Sequence, residues 1–326
     1  MDKETQALRD RMQGGVPFIW SMAEKFIESD LDKKFNPNQP RDAKGRFGSY
    51  GAWYKSLPVL PAREPRIGMG DVTVSEKDLQ LMKRGSLGPY IVGRTEDGQP
   101  VFTEERTQLH EYMVQEAVLG VPTVTDPTFY MLGGGTASGK TTMLKSGQIT
   151  VPEGKEAVQI NADDVKEHLP EYRKMVAEKN TDAAAYAHEE SSYVTKRMQS
   201  AAFETSKNVV LDGTGDSSEE SLGKKIISAK RAGYVVNGYY ATVPTQVALQ
   251  RAIDRGNKTG RAVPVVIIAN NHREVSRIFP FAAKSFDTIK LFDTLDGAKL
   301  IASGAGGKLD VLDNAAYESF LAKGNE

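Results

Sequence analysis

Cysteine is absent from the 326-residue chain, which excludes disulfides, thiolate metal sites and cysteine nucleophiles. This absence fits a reducing compartment, and the charged N-terminus, MDKETQALRD, argues against a signal peptide, so we expect a cytoplasmic protein. Only four histidines are present, widely spaced, and they do not predict a histidine-rich metal site. No run approaches the roughly 18 apolar residues of a membrane span. A net charge of −1 does not favour nucleic-acid binding.

The pattern of apolar residues divides the chain near residue 121. Residues 1–121 are predicted to form an accessory region, with helices within 3–35, a basic segment rich in proline and glycine over 36–66, then short polar segments and a helix over 104–119. From about residue 126, apolar β-rich runs alternate with helical stretches, which is typical of a parallel sheet covered by helices on both faces. We therefore predict a second domain over 122–326.

The second domain has five predicted strands, five predicted helices between them, and a hairpin near its end. The strands are expected at Thr128–Leu132, Ala157–Asn161, Asn208–Leu211, Tyr234–Thr242 and Thr288–Phe292. The helices are expected near 140–147, 182–206, 218–232, 244–256 and 264–277, and the hairpin within 295–313, followed by a short last helix.

The strongest motif fits G-x-x-x-x-G-K-[ST]. It consists of Gly134, Gly135, Thr136, Ala137, Ser138, Gly139, Lys140 and Thr141, with Thr142 directly after it. An apolar strand precedes it and a helical stretch continues it, as such a phosphate-binding loop requires. Glycines let backbone N–H groups approach phosphates, the lysine supplies a positive charge, and the threonine offers a hydroxyl to Mg²⁺. The motif predicts ATP and Mg²⁺ as cofactors and a P-loop NTPase-type, doubly wound α/β fold. The glycine-rich run 304–308 lacks this spacing and is predicted to be a hairpin turn.

Carboxylates end two further predicted strands. INADDVKEHLP carries Asp163 and Asp164 where the strand ends line the ligand crevice of an α/β sheet. A carboxylate there can accept the proton of an attacking hydroxyl, although Asp163 could equally cap the next helix. VVLDGTG ends in Asp212, which is typical of a Walker B carboxylate near Mg²⁺, although an Asp-Gly turn is the alternative.

Two polar groups are less specific. The segment LQRAIDRGNKTGRAVP carries four basic residues, which form either a lid over the nucleotide phosphates or a solvated helix face. They are Arg251, Arg255, Lys258 and Arg261. The segment HEESS carries Glu190 inside a predicted helix, where a surface position is the default and a substrate contact is the alternative.

In their order along the chain, GGGTASGKTT, INADDVKEHLPEY, HEESS, VVLDGTG and IDRGNKTGRAVP resemble the zeta-toxin family of P-loop kinases over roughly residues 126–295. The resemblance implies ATP-dependent phosphorylation of the 3′-hydroxyl of UDP-N-acetylglucosamine, by a toxin that blocks cell-wall precursor synthesis. It implies that Lys140 and Thr141 hold the phosphates and Mg²⁺ and that Asp163 is the catalytic base. It also places Asp212 and Thr214 near Mg²⁺ and the acceptor sugar.

The same resemblance implies that Arg255 and Arg261 clamp the transferring phosphate and that Glu190 contacts the substrate. The chain departs from the family pattern at Asp212, where some members carry Glu, and in GRAVP around the second arginine. Some members are restrained by an antitoxin that covers the nucleotide site. The N-terminal helices are expected to be able to do this in cis, in which case deletion of residues 1–120 should raise ATP turnover or toxicity.

Two other functions remain open from the sequence. One is a P-loop kinase with another acceptor, such as a nucleotide, an antibiotic or a nucleic-acid end. The other is a phage structural or assembly protein whose P-loop binds nucleotide without catalysis. The stretch NPNQPRDAKGRFGS resembles segments of phage head-morphogenesis proteins, which implies a phage or prophage origin, with location in the host cytoplasm or the virion.

Overall fold

The computed structural model describes residues 85–94, 100–178, 180, 182–215, 218–259, 263 and 265–325. The helices predicted within 3–35, the basic segment 36–66 with its phage-like stretch, and Arg261 lie outside these residues. Within the described part of the chain, no helix is long and apolar enough to cross a membrane.

The strands and helices are numbered along the chain. The strands are β1 (Ile91–Arg94), β2 (Pro100–Phe102), β3 (Thr128–Gly133), β4 (Val158–Asn161), β5 (Val209–Asp212), β6 (Val235–Thr242), β7 (Thr288–Asp293), β8 (Lys299–Ala305) and β9 (Lys308–Val311). The helices are α1 (Glu104–Val118), α2 (Lys140–Leu144), α3 (Ala162–His168), α4 (Pro170–Ala177), α5 (Ala183–Tyr186), α6 (His188–Glu204), α7 (Glu219–Arg231), α8 (Thr245–Thr259), α9 (Val265–Ser285) and α10 (Asn314–Ala322).

The main sheet has the order β4-β5-β3-β6-β7-β8-β9 in the described residues, with β1 and β2 paired separately. The first five strands of that order are parallel, and β8 and β9 extend the sheet as an antiparallel hairpin. This confirms the predicted mainly parallel α/β fold. The glycine-rich run 304–308 lies at the turn of that hairpin, where Gly306 and Gly307 adopt positive φ values of 56° and 80°.

Both faces of the parallel strands are buried, as near-continuous apolar runs predict. Neighbouring residues of one strand enter different clusters: Val209 and Tyr240 join the large core under α1, α6, α7 and α9, whereas Val210 and Tyr239 join a smaller core with Met143 of α2. The alternation follows from the two-residue period of a strand. The predicted doubly wound arrangement is therefore built from side chains on both sides of the sheet.

Two predicted helices differ in extent from those observed. The stretch 182–206 is interrupted at Ala187, between α5 and α6. Helix α9 continues beyond the predicted end at residue 277 and contains Pro280. Proline removes one helical hydrogen bond, but burial of Phe279 and Ala282 beside it stabilises the continued helix.

The register of the parallel strands aligns the ends that carry the predicted functional residues. Leu132 of β3 lies opposite Asp212 of β5, and Asp212 lies opposite Asn161 of β4. The loop after β3, the Asp-Gly-Thr segment after β5 and the first turn of α3 therefore begin at one edge of the sheet. This edge is the crevice side of an open α/β sheet.

Helix α1, which the sequence assigned to the accessory region, packs against α6 and β4. Its Leu109 and Met113 are buried in the large core. Thr103 caps the helix by accepting a hydrogen bond from the backbone N–H of Arg106. Helix α1 is thus held by apolar burial as well as by the polar cluster described next.

A buried ionic cluster joins α1 to the starts of α4 and α6. Arg106 is 2% exposed and donates hydrogen bonds of 2.5 and 2.7 Å to Glu190 and of 3.1 and 3.3 Å to Glu171. His110 Nε2 lies 2.7 Å from Glu190 Oε1. The hydroxyl of Tyr90 donates to Glu171, and its ring lies 4.0 Å from the guanidinium carbon. One guanidinium therefore compensates two buried carboxylates.

Burial and hydrogen bonding have opposite effects on the pKa values of Glu190 and Arg106 in this cluster. Burial alone would raise the pKa of Glu190, but hydrogen bonds from His110 and Arg106, together with the charge of Arg106, lower it to about 2. Burial alone would likewise lower the pKa of Arg106, and the two carboxylates raise it instead. Burial lowers the pKa of His110, so its neutral ring donates Nε2–H to Glu190.

We expect the stability of the fold to fall as the pH drops from about 5 towards 2. Because the pKa of Glu190 is about 2 in the folded protein and ordinarily 4.5, its contribution is complete above pH 4.5 and is lost as the pH falls through 2. The linkage amounts to roughly 3 kcal/mol. Urea unfolding between pH 7 and pH 3 should register roughly 2 kcal/mol of this loss, because the folded-state pKa lies below that range.

The Glu190→Gln protein should lose less stability with acid than the wild type. Glu178→Gln is the matched control, because Glu178 is exposed and pairs only at the surface with Lys174. An acid dependence that is the same in the wild type and in Glu190→Gln would contradict this account.

Candidate active site

The loop after β3 needs its glycines for conformation and for space. Gly134 and Gly139 have φ values of 133° and 87°, which side chains rarely adopt. A Cβ on Gly134 would lie 2.4 Å from the carbonyl oxygen of Ala241, and one on Gly139 would lie 2.4 Å from Thr294 Oγ1. Ala137 also has a positive φ, 59°, which costs about 1 kcal/mol. The backbone conformation of the loop therefore requires glycine at these two positions.

Helix α9 holds this loop from one side. Its His272 donates from Nε2 to the Thr136 carbonyl at 2.9 Å, and its Asn271 donates to Thr136 Oγ1 at 3.1 Å. The His272 ring fills the space beside Gly135, where an added Cβ would lie 2.4 Å from it. Burial lowers the pKa of His272 to about 4, against the raising effect of its bond to Thr136, so the ring is neutral near pH 7.

A second support comes from the residue after β7. The hydroxyl of Thr294 donates to the Ser138 carbonyl at 2.5 Å. Arg251 of α8 donates to the carbonyl oxygens of Thr294 and Leu295 at 3.0 and 3.4 Å. From the sequence, Arg251 was expected either in a lid or on a solvated helix face. In the structure, its hydrogen bonds to Thr294 and Leu295 connect α8 to the residues that support the P-loop.

The lysine of the loop lies beside the acidic end of β5. Lys140 Nζ is 3.5 Å from Asp212 Oδ1. The backbone N–H of Gly134 donates to the carbonyl of Thr214 at 3.0 Å. Thr141 and the following Thr142 are exposed in the first turn of α2. The structure thus brings the loop, Asp212 and Thr214 together.

Asp163 does not cap helix α3. Asn161 is the cap, and its side chain accepts a hydrogen bond from the backbone N–H of Asp163 at 2.9 Å. The Asp163 carboxylate is 58% exposed and accepts a hydrogen bond of 2.9 Å from Lys166 Nζ. It can therefore meet a ligand while Lys166 orients it.

Electrostatic effects on two neighbours indicate what surrounds Asp163. Burial raises the pKa of Tyr172 in α4, the charge of Asp163 raises it further, and the charge of Arg255 in α8 lowers it. Burial also lowers the pKa of His188 at the start of α6, as does the charge of Lys166. Helices α4 and α6, which carry these two residues, both pack against α3, the helix of Asp163. Arg255 is exposed on α8.

Glu190 occupies a different position from the one predicted. Its carboxylate is fully buried, and both oxygens accept hydrogen bonds from Arg106 while one also lies beside His110. In this conformation it has no exposed surface with which to contact a substrate. A glutamate on a helix is usually exposed to solvent. Burial of Glu190 is possible because Arg106, which lies 84 residues earlier in the chain, pairs with its carboxylate.

The sequence interpretation missed the residues that support the P-loop. His272 and Thr294 lie 136 and 156 residues from their partners in the loop. The one local signal for His272 is the polar run 270–274 (NNHRE), in a helix that begins with the apolar stretch 265–269 (VVIIA). Nothing local marks Thr294.

Two solved complexes support the same fold, and a third structure is similar at a lower score. A complex named AvrRxo1-ORF1:-ORF2 with ATP has a TM-score of 0.59 and 22% identity, and the alignment covers 73% of this chain and 82% of that chain. The corresponding complex with sulphate ions has a TM-score of 0.57, 22% identity and the same coverage. The PezAT chromosomal toxin–antitoxin system of Streptococcus pneumoniae aligns with a TM-score of 0.48 and 15% identity over 69% of this chain and 97% of that chain. No curated protein sequence gives a significant match.

The parallel sheet, the phosphate loop after its central strand and the acidic strand ends beside it define a P-loop protein with a kinase-like fold. Residues 115–305, more than half of the chain, match the family model described as zeta toxin. The chain belongs to the zeta toxin family.

We expect the His272→Ala substitution to weaken ATP binding roughly tenfold. It removes a hydrogen bond worth about 1 kcal/mol net and the ring that fills the space beside Gly135. Calorimetric titration with Mg-ATP, without an acceptor, measures the affinity. Because the pKa of His272 is about 4, its protonation should contribute no change in affinity between pH 6 and 8.

Arg277→Ala is the control for this experiment. Arg277 lies on the same helix and pairs at the surface with Glu274. Equal ATP affinities for the wild type and His272→Ala would remove His272 from the support of the loop.

Proposed function

We propose that the chain is an ATP- and Mg²⁺-dependent kinase that transfers the γ-phosphate to a hydroxyl of a small molecule and acts as a toxin. The observation that carries the proposal is the meeting, at one sheet edge, of a rigid P-loop, an acidic strand end and an exposed carboxylate oriented by lysine. Membership of the zeta toxin family supports the same chemistry.

On the nucleotide side, residues 134–142 would surround the ATP phosphates, with backbone N–H groups and the Lys140 ammonium as donors. The 3.5 Å approach of Lys140 to Asp212 supports these roles, because the lysine already lies at the acidic strand end. The hydroxyl of Thr141 and the carboxylate of Asp212 suit Mg²⁺, which prefers oxygen ligands. When bound, the ion would neutralise phosphate charge.

On the acceptor side, Asp163 would take the proton of the attacking hydroxyl as its oxygen bonds to the γ-phosphorus and ADP departs. The hydrogen bond from Lys166 would hold the carboxylate in position without covering it, since Asp163 stays largely exposed. Thr214, beside Gly134, would contact the acceptor sugar near the phosphates.

Arg255 would neutralise charge on the transferring phosphate, a role that rests on the family resemblance. Its charge and that of Asp163 both act on the pKa of Tyr172, which is mainly raised by burial, and this common influence supports the role. Arg261 would join it as the second arginine, a role that rests on the family resemblance. In place of the substrate contact first expected, Glu190 would act by positioning α6, as its complete burial suggests.

UDP-N-acetylglucosamine, phosphorylated at its 3′-hydroxyl, is the acceptor that the family resemblance favours. An antitoxin is the proposed protein partner. Two of the similar structures are AvrRxo1-ORF1:-ORF2 complexes of two components, which supports a search for such a partner.

The test of the function is incubation of the purified protein with Mg-ATP and UDP-N-acetylglucosamine, followed by mass spectrometry of the sugar nucleotide. We expect a phosphorylated product that is lost in Lys140→Ala. In Asp163→Asn, transfer should fall by roughly 10²–10⁴-fold while ATP affinity is unchanged, because only the base is removed.

Asp164→Asn is the matched control for the base. Asp164 follows Asp163 in the same helical turn but lines a groove on the α1 side of α3 with Met113 and His168. It should retain transfer. Product formation by Asp163→Asn at the wild-type rate would exclude Asp163 as the base. An inactive wild type that binds ATP would exclude this acceptor and direct the search to others.

A separate expectation concerns Arg255. Arg255→Ala should lower kcat by on the order of 10³-fold while ATP affinity changes little, since the arginine acts on the charge of the transition state. Steady-state kinetics and Mg-ATP titration separate the two effects. Arg231→Ala, at an exposed arginine of α7, is the control. A loss of ATP affinity that accounts for the whole loss of rate would contradict this role.

A further inference from the structure

Most of the segment 85–118 precedes the part of the chain that matches the zeta toxin family, residues 115–305. The segment nevertheless supplies the single guanidinium between two buried carboxylates of the family domain. Arg106 reaches Glu171 and Glu190 together, and neither partner is more than 1% exposed. The question is what this connection controls.

Both carboxylates lie on helices that pack against α3, the helix that carries Asp163. Glu171 directly precedes Tyr172, whose pKa responds to burial and to the charges of Asp163 and Arg255. Glu190 lies two residues after His188, whose pKa responds to burial and to the charges of Lys166 and Asp163. Helices α4 and α6 both pack near α3, which carries Asp163. The P-loop is supported separately, by residues of α8, α9 and the β7 end.

The hydrogen-bond pattern of the cluster requires the guanidinium group of an arginine. Nε and Nη2 donate to the two oxygens of Glu190, while Nη1 and Nη2 donate to those of Glu171. The planar fork thus fixes the distance between the first turns of α4 and α6. A lysine ammonium is a point charge on a flexible stem and fixes no such plane.

We propose that Arg106 is a positioning residue for the acceptor side of the kinase site, and that residues 85–94 and 100–118 are part of the catalytic domain. By holding the starts of α4 and α6 at a set spacing, it would set how these two helices pack against α3, which carries Asp163. This inference rests on the proposed function for its kinetic test, and on the cluster geometry alone for its structural one.

Three variants separate positioning from simple stabilisation. Arg106→Lys keeps the charge and removes the fork. Arg106→Gln leaves two buried carboxylates without compensation, so it is expected to fold poorly. The triple variant Arg106→Met, Glu171→Gln, Glu190→Gln contains no buried charge in the cluster, so its stability should return towards that of the wild type. It still lacks the fork.

The matched control is Arg197→Gln. Arg197 of α6 donates to Glu111 of α1 at 2.8 Å, so it joins α6 to α1, which is one of the two connections that Arg106 makes. That pair is partly exposed and contacts neither Glu171 nor Glu190. Loss of a generic link between α1 and α6 should therefore appear in the control as well.

We expect Arg106→Lys and the triple variant to raise the KM for UDP-N-acetylglucosamine by roughly 10- to 100-fold, because small displacements of substrate-positioning groups have effects of this size. The KM for ATP should stay within about twofold of the wild type, and Arg197→Gln should behave as the wild type in both. A triple variant that folds stably and keeps the wild-type acceptor KM would overturn the proposal. So would a parallel rise of both KM values.

If the wild type does not phosphorylate UDP-N-acetylglucosamine, the proposed acceptor fails and the inference is judged by amide hydrogen exchange, which needs no acceptor. In the stably folded triple variant, exchange should accelerate over 162–175 and 188–192 and stay unchanged over the P-loop and α2. Unchanged exchange over 162–175 would reject the positioning role. The two failures are therefore distinguishable.

Discussion

The hydrogen-bonded register of β4, β5 and β3 is the constraint on which the candidate site depends. It sets Asn161, Asp212 and Leu132 side by side, so that three loops begin at one edge of the sheet. The P-loop, the Asp-Gly-Thr segment and the Asp163 turn are each short and locally encoded. Only the pairing of their strands makes them neighbours, and a slip of one residue in that pairing would turn the strand side chains to the opposite faces.

The fold and the nucleotide side could be predicted from the sequence because their signals are local. Apolar runs bounded by turns gave the strands, and the glycine pattern gave the loop whose positive φ angles the structure contains. The residues that stabilise the loop could not be predicted, since His272 and Thr294 are ordinary residues of a distant helix and strand end. Their roles exist only after the chain has folded. The same reason explains the expectation for Glu190, whose buried partner Arg106 is far away in sequence.

The position of α1 changes how the N-terminal region should be studied. Deletion of residues 1–120 was expected to reveal restraint in cis by releasing the kinase domain. That deletion would also remove Leu109, Met113 and Arg106, leaving an open apolar face and two uncompensated carboxylates in the core. A loss of activity would then report unfolding. A truncation intended to test restraint must therefore leave α1 and strands β1 and β2 in place.

Thr294 has a consequence for the timing of the reaction. It contacts the P-loop through the Ser138 carbonyl and contacts α8 through Arg251, which lies about one helical turn before Arg255. A displacement of the loop is therefore transmitted to the helix that carries the arginine. In the proposed kinase, nucleotide occupancy of the loop and placement of Arg255 would then be linked, with one coupling free energy shared between them.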